Sequence, residues 1–310
     1  MPRHLQVGIS PPWGLFEETP ESQRSLLGAI ADAGIDHIFV ADHVSFRGGH
    51  GTDGPIALAA LSGIEPRLGL SLGVYLLALR HPVVAARQIA TLAEAAPGRI
   101  SLGVGVGGDD RAEFAACGVD ASTRGSRTDS ALEIVRGLLD GQSVTWHDRH
   151  FDLDAVSIRP TPKSPVPIVI GGRSDAALNR AARLGDGWLG AWCSPGRLND
   201  GIAQVEAEAL VSRKLPLPNQ WMHGVQLWAG VGTDPDDGRR HVAKGMAEFY
   251  QMPFEPFEPY TPVGTAADIA EVLAPYVEAG ATTLNLAPVG ADRHTEIATV
   301  AEVKALLLSG

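Results

Sequence analysis

The strongest constraint on this chain is its rhythm. Short apolar, β-branched runs recur from one end to the other, with helical patterns between them. The runs are Leu5 to Ile9, His37 to Ala41, Leu68 to Tyr75, Ile100 to Val106, Ile168 to Ile170, Gly187 to Ala191, Val225 to Val231 and Thr283 to Ala287. Most are apolar nearly throughout, as strands covered on both faces must be. Helical periodicity covers Ser22 to Ala33, Pro82 to Ala95, Ser130 to Leu139, Asp175 to Leu184, Asp268 to Ala279 and Glu296 to Leu307. Pro82 reads as a first-turn proline, and Gly34, Gly185 and Gly280 stand where helices stop. Such alternation means a parallel sheet with helical crossovers. A doubly wound open sheet would give it too. However, no phosphate-binding glycine loop follows the first run, and eight strands in 310 residues fit an α/β TIM (β/α)₈ barrel folded as a single domain.

Two stretches interrupt the rhythm. Residues 144–166 hold Pro160, Pro162 and Pro165, with a hairpin expected around Asp148 to His150. Residues 252–263 are dense in Phe254, Pro256, Phe257, Pro259, Tyr260 and Pro262. Insertions after barrel strands build lids over the C-terminal mouth, although a loop packed on its own aromatics has the same composition.

Charge narrows the partners. With 25 basic and 36 acidic side chains the chain carries −11, which repels phosphate backbones and anionic membranes, so neither nucleic acid nor a membrane is expected. There is no apolar run long enough to span a bilayer and no basic-then-apolar leader, so a soluble cytoplasmic protein is expected. Cys117 and Cys193 lack metal-ligand spacing and read as packing residues. No His-x-His follows the first run and no His-Glu-x-x-His occurs, so no metal site is expected; Asp109 and Asp110 fit a solvated loop. A nucleophilic serine elbow, Gly-x-Ser-x-Gly, is also missing.

Three places could carry chemistry. The second strand ends at Asp42 and His43, which puts an imidazole beside a carboxylate at the barrel mouth, where it could exchange protons near neutral pH. The third and fourth strands carry Gly73 with Val74 and the run Gly103 to Gly108; glycines at strand ends let a planar ring or another backbone approach closely. Gly171, Gly172, Arg173 and Ser174 follow the fifth strand and open a helix, which suits a phosphate, while Ser174 also suits an N-cap. Trp13, Phe46, Trp192, Trp228 and the aromatics of 254–260 could wall a dry substrate pocket.

Several segments, in order, resemble the bacterial luciferase-like flavin and deazaflavin oxidoreductases. They include Ala41-Asp42-His43-Val44, Leu79-Arg80-His81-Pro82, Gly98 to Gly107, Arg124-Gly125-Ser126-Arg127, Pro167 to Ser174 and Ala181 to Trp188. The resemblance implies a dimeric TIM barrel with a cofactor ring in its mouth, coenzyme F420 or alternatively FMN, acting on a small molecule. His43 would exchange the proton and Asp42 would contact the ring. A non-prolyl cis peptide would join Gly73 and Val74, and Gly107, Gly171, Gly172, Arg173 and Ser174 would line the cofactor tail and phosphate. The Asp-His pair and the Gly-Gly-Arg-Ser turn look more like the F420 branch, with an FMN-dependent monooxygenase as the alternative. Relatives that oxidise a sugar phosphate place a proton-donating glutamate where this chain has Gly108, and no basic cluster for a sugar phosphate stands out, which argues against that activity. A non-catalytic flavin-binding barrel, or a hydrolase sharing only the architecture, is the reading from another class.

Overall fold

Eight parallel strands close on themselves. A computed structural model of the protein describes residues 5–12, 14–108 and 110–309, so Trp13 and Asp109 lie outside the described residues. The barrel strands are β1 (Gln6–Ile9), β2 (His37–Val40), β3 (Gly69–Leu76), β4 (Ile100–Gly105), β7 (Ile168–Gly171), β8 (Gly187–Ala191), β9 (Gly224–Val231) and β11 (Thr283–Val289). Around the ring they run β1-β2-β3-β4-β7-β8-β9-β11, and β11 returns to β1. The final seam is β8 on β9, where Gly190 faces Val225 and Ala191 faces Gln226. A short β10 (Val263–Gly264) adds to the outside of β9. All eight expected runs are strands of this TIM barrel, and the hairpin expected near Asp148 is β5 (Val144–His147) with β6 (Asp152–Val156).

Helices cover the barrel: α1 (Pro20–Asp32), α2 (Gly54–Ser62), α3 (Pro82–Ala95), α4 (Arg111–Ala116), α5 (Arg124–Leu139), α6 (Asp175–Leu184), α7 (Pro195–Ser212), α8 (Pro235–Tyr250), α9 (Ala266–Glu278) and α10 (Arg293–Ser309). Their starts follow from side-chain chemistry. Thr19, Asp53, Ser174, Ser194 and Asp234 each accept a first-turn amide, and Thr265 with Asp268 forms a reciprocal capping box. Four helices, α2, α4, α7 and α8, were not anticipated. Asp53, Ser194 and Asp234, each followed within two residues by proline, are the start signals that could have revealed three of them.

The core is continuous between the barrel and its helices, with Leu27, Ile30, Leu58, Ile89, Leu138, Leu178 and Trp188 fully enclosed. Cys193 is buried and Cys117 half-buried, both unpaired. Among the described residues no helix is long and apolar enough to cross a membrane, and no cluster of His, Cys, Asp or Glu could hold a metal ion.

Candidate active site

The loop that leaves β2 carries His43 over the C-terminal mouth. It folds back on itself: the His43 amide donates to the Thr52 carbonyl, and Phe46 and His50 exchange backbone hydrogen bonds. Beneath it lies Glu113, on α4 and 2% exposed. One carboxylate oxygen accepts the Val44 amide at 2.7 Å and the Ser45 amide at 3.2 Å, and both oxygens face Nδ1 of His43, at 3.3 and 3.2 Å. An ionised carboxylate can only accept, so the neutral His43 ring facing it carries its proton on Nδ1. Sequence reasoning missed Glu113. Its signal was Asp110 three residues earlier, which caps α4 through the Ala112 amide and also accepts the Arg47 amide.

Asp42, expected beside the ring, is tied into the protein through its side chain. Its carboxylate is fully enclosed, receives two bonds of 2.7 Å from the Arg80 guanidinium, and accepts the amides of Gly54 and Leu76. Burial raises its pKa, while Arg80 and those amides pull it back. With these four bonds the side chain fixes the end of β2.

Glycines shape the floor of the mouth. The Gly73–Val74 peptide is cis. The Val74 side chain lies in a hollow of three glycines: a Cβ added at Gly105, Gly171 or Gly103 would come within 2.4, 2.7 or 3.4 Å of its methyl groups. In the same segment the β3–β4 pairing shifts between Leu72 and Tyr75. Gly171 therefore admits Val74. Gly172, at φ 134°, donates its amide to the Leu189 carbonyl and accepts Trp188 Nε1 at 2.6 Å, so its amide is already engaged.

An anion-suited end lies beside this floor. Gly107 and Gly108 both adopt positive φ, and a side chain at Gly108 would meet the Arg124 guanidinium at 2.6 Å. Arg124 Nε is buried with no hydrogen-bond partner, and it opens α5, whose cap residue Thr123 makes no side-chain capping bond. Nearby, Arg180 of α6 donates to the Gly125 carbonyl. Ser174 caps α6 through the Ala177 amide, as its alternative reading had it, and Arg173 beside it is exposed. An unsatisfied guanidinium nitrogen beside two glycines, near helix N-termini, fits a phosphate-bearing cofactor.

Rings form the opposite wall. His43 stacks on Phe46 with centroids 4.3 Å apart, and Phe46 lies 5.4 Å from Phe249. Phe249 meets Trp228 at 5.9 Å and Tyr250 at 4.8 Å; Tyr250 meets Trp192 at 5.6 Å, and Trp192 meets Phe257 at 4.8 Å. Phe46, Trp192 and Trp228 thus belong to one row of touching rings, joined through Phe249 and Tyr250. Phe249 and Tyr250 were missed because α8 was missed. Phe254, by contrast, is buried against Val242 and Met246. A separate cavity of about 380 Å³, lined in part by Asp36, His37, Arg99 and Thr283, opens at the N-terminal strand ends, away from His43 and the ring wall.

Comparison with known proteins places this geometry. A family model described as luciferase-like monooxygenase matches residues 5–258. An uncharacterised protein of Mycobacterium tuberculosis is 37% identical over 151 residues, 49% of this chain and 52% of that protein, so the chain spans about half of its length. An F420-dependent glucose-6-phosphate dehydrogenase of Nakamurella multipartita is 31% identical over 242 residues, 70% of each chain. The solved structure of an F420-dependent secondary alcohol dehydrogenase, in complex with an F420-acetone adduct, superposes with a TM-score of 0.82 at 19% identity, covering 98% of this chain and 99% of the other, which shows a shared fold. The chain belongs to the luciferase-like monooxygenase family.

Proposed function

We propose that the protein is a coenzyme F420-dependent oxidoreductase that moves a hydride between the deazaflavin and a small, largely apolar organic substrate, with His43 as general acid/base. The observation that carries this reading is the His43–Glu113 pair: an imidazole held at Nδ1 by a buried carboxylate and set at the head of an aromatic wall. The deazaflavin, when bound, supplies a two-electron carbon centre. His43 Nε2 takes the hydroxyl proton as an alcohol is oxidised, or returns it to a carbonyl oxygen in the reverse direction. The floor of Val74 and its glycines receives the ring. Arg124, Arg173, Ser174 and the first turns of α5 and α6 receive the phosphate. Phe46, Trp192, Trp228, Phe249, Tyr250 and Phe257 exclude water and prefer an apolar substrate. That wall, with Gly108 in place of a glutamate, disfavours the sugar phosphate named for the Nakamurella relative.

The test is a titration of the purified protein with F420 and, separately, with FMN, followed by fluorescence and absorbance, then an assay with small alcohols and ketones. Tight F420 binding with weak FMN binding supports the reading. Preference for FMN turns it into an oxygen-consuming monooxygenase, as the family's description suggests. Binding of neither removes the cofactor from the mouth. His43→Ala should bind F420 normally and lose roughly 10²–10⁴-fold in turnover.

A further inference from the structure

A chain of polar side chains crosses the barrel interior and ends beneath the floor of the mouth. Gln226 on β9 donates from Nε2 to the Gly73 carbonyl on β3 at 2.8 Å. In the ring of eight, β9 and β3 have three strands between them on either side, so this bond spans the barrel. Gln226 Oε1 accepts from Asn285 Nδ2 at 3.3 Å, and Asn285 Oδ1 lies 2.7 Å from His37 Nε2.

One end of the chain fixes the orientation of all of it. A backbone carbonyl can only accept, so Gln226 must turn its NH₂ to Gly73. Its oxygen then faces Asn285, which must answer with its own NH₂, and the Asn285 oxygen requires a proton on Nε2 of His37. His37 is 7% exposed and Asn285 1% exposed. Two glycines make the room: a Cβ at Gly73 would stand 2.4 Å from Gln226 Oε1, and one at Gly8 would stand 2.1 Å from His37 Nε2. Burying amides inside a barrel is costly unless each is satisfied, and apolar layers are the usual filling. The chain therefore maintains something that apolar side chains would not, and what it touches at its upper end is the carbonyl of the residue before Val74.

We infer that Gln226 is a positioning residue for the cofactor ring: by holding the Gly73 carbonyl inside the barrel, it sets Val74 in its glycine hollow as the surface on which the ring rests. Asn285 and His37 hold Gln226 in the donating orientation. This inference rests on the cofactor reading above.

The experiment is an equilibrium titration of the full-length protein with F420 or FMN, whichever the wild type binds, between pH 5 and 9. It uses Gln226→Glu, Gln226→Leu and Asn285→Leu, with the melting temperature of each recorded. In Gln226→Glu the protonated side chain still donates to Gly73, whereas the ionised one sets two acceptors against each other. Its affinity should match wild type within about threefold at the acid end and fall at least about tenfold as the introduced acid ionises. Gln226→Leu should be weaker by about tenfold at every pH. If neither Gln226 variant folds, Asn285→Leu decides, with at least about threefold weaker binding in support and wild-type affinity against. Wild-type affinity in both Gln226 variants at all pH values overturns the inference, as does a pH-independent loss in Gln226→Glu. Failure of the wild type itself to bind either cofactor overturns the cofactor reading, and this inference with it.

Discussion

Glu113 holds His43 by Nδ1 at 3.2 Å while the other oxygen of the same carboxylate secures the Val44 amide at 2.7 Å. One buried group therefore sets both the loop and the tautomer. Glu113→Gln would separate the two tasks. Its single oxygen should stay with the Val44 and Ser45 amides, 3.3 Å from Nδ1, while the NH₂ takes the 3.2 Å position and competes with the ring proton there, shifting the tautomer toward Nε2. Alcohol oxidation should fall roughly 10²-fold or more, with cofactor affinity within about threefold. Steady-state kinetics beside a binding titration check this; unchanged turnover would mean that the tautomer does not matter.

The hollow around Val74 predicts a compensated pair. In Gly105→Ala the new methyl meets Val74 Cγ2 at 2.4 Å and should cost about 1–3 kcal/mol, with weaker cofactor binding. Adding Val74→Ala should recover most of the stability, because the two side chains compete for one space. Urea denaturation of the two single variants and the double variant measures the coupling, and simple additivity would disprove the contact.

The Arg80–Asp42 pair predicts asymmetry. Asp42 has no solvent exposure at its side chain, so Arg80→Met strands a buried carboxylate and should destabilise by about 3–5 kcal/mol. Replacing both, with Asp42→Asn, should cost less than Arg80→Met alone. A double variant less stable than either single one would contradict this.

His223 predicts acid sensitivity away from the mouth. It is 2% exposed, its Nδ1 accepts the Trp188 amide, Nε2 has no hydrogen-bond partner, and Glu206 stands too far away at 3.7 Å. Burial lowers its pKa from 6.5 to about 4. A histidine kept neutral in the fold is protonated first in the unfolded chain, so its contribution is intact above pH 6.5 and is lost as pH falls toward 4. The size is about 3 kcal/mol over that window. His223→Asn keeps an acceptor for the Trp188 amide and should show a correspondingly flatter stability profile between those pH values. Parallel profiles for the two proteins would rule His223 out as the source.

The chain's sequence alone determined the barrel, because strands covered on both faces must be apolar throughout and eight of them alternate with helices. It also placed His43 just past a strand's C-terminal end, and the family motifs pointed to the cis peptide between Gly73 and Val74. It did not disclose what holds these groups. Glu113 reaches His43 across 70 residues and Gln226 reaches Gly73 across 153, and no local periodicity encodes contacts made only once the barrel and its loops have closed. Asp42 shows the same limit from the other side. Beside His43 in the chain it reads as a carboxylate of the mouth, and nothing local announces that Arg80, brought up by the turn after β3, and the Gly54 and Leu76 amides bind it. The tertiary structure decided these roles because a polar side chain is committed by whichever partners surround it once buried, and burial is a property of the closed fold.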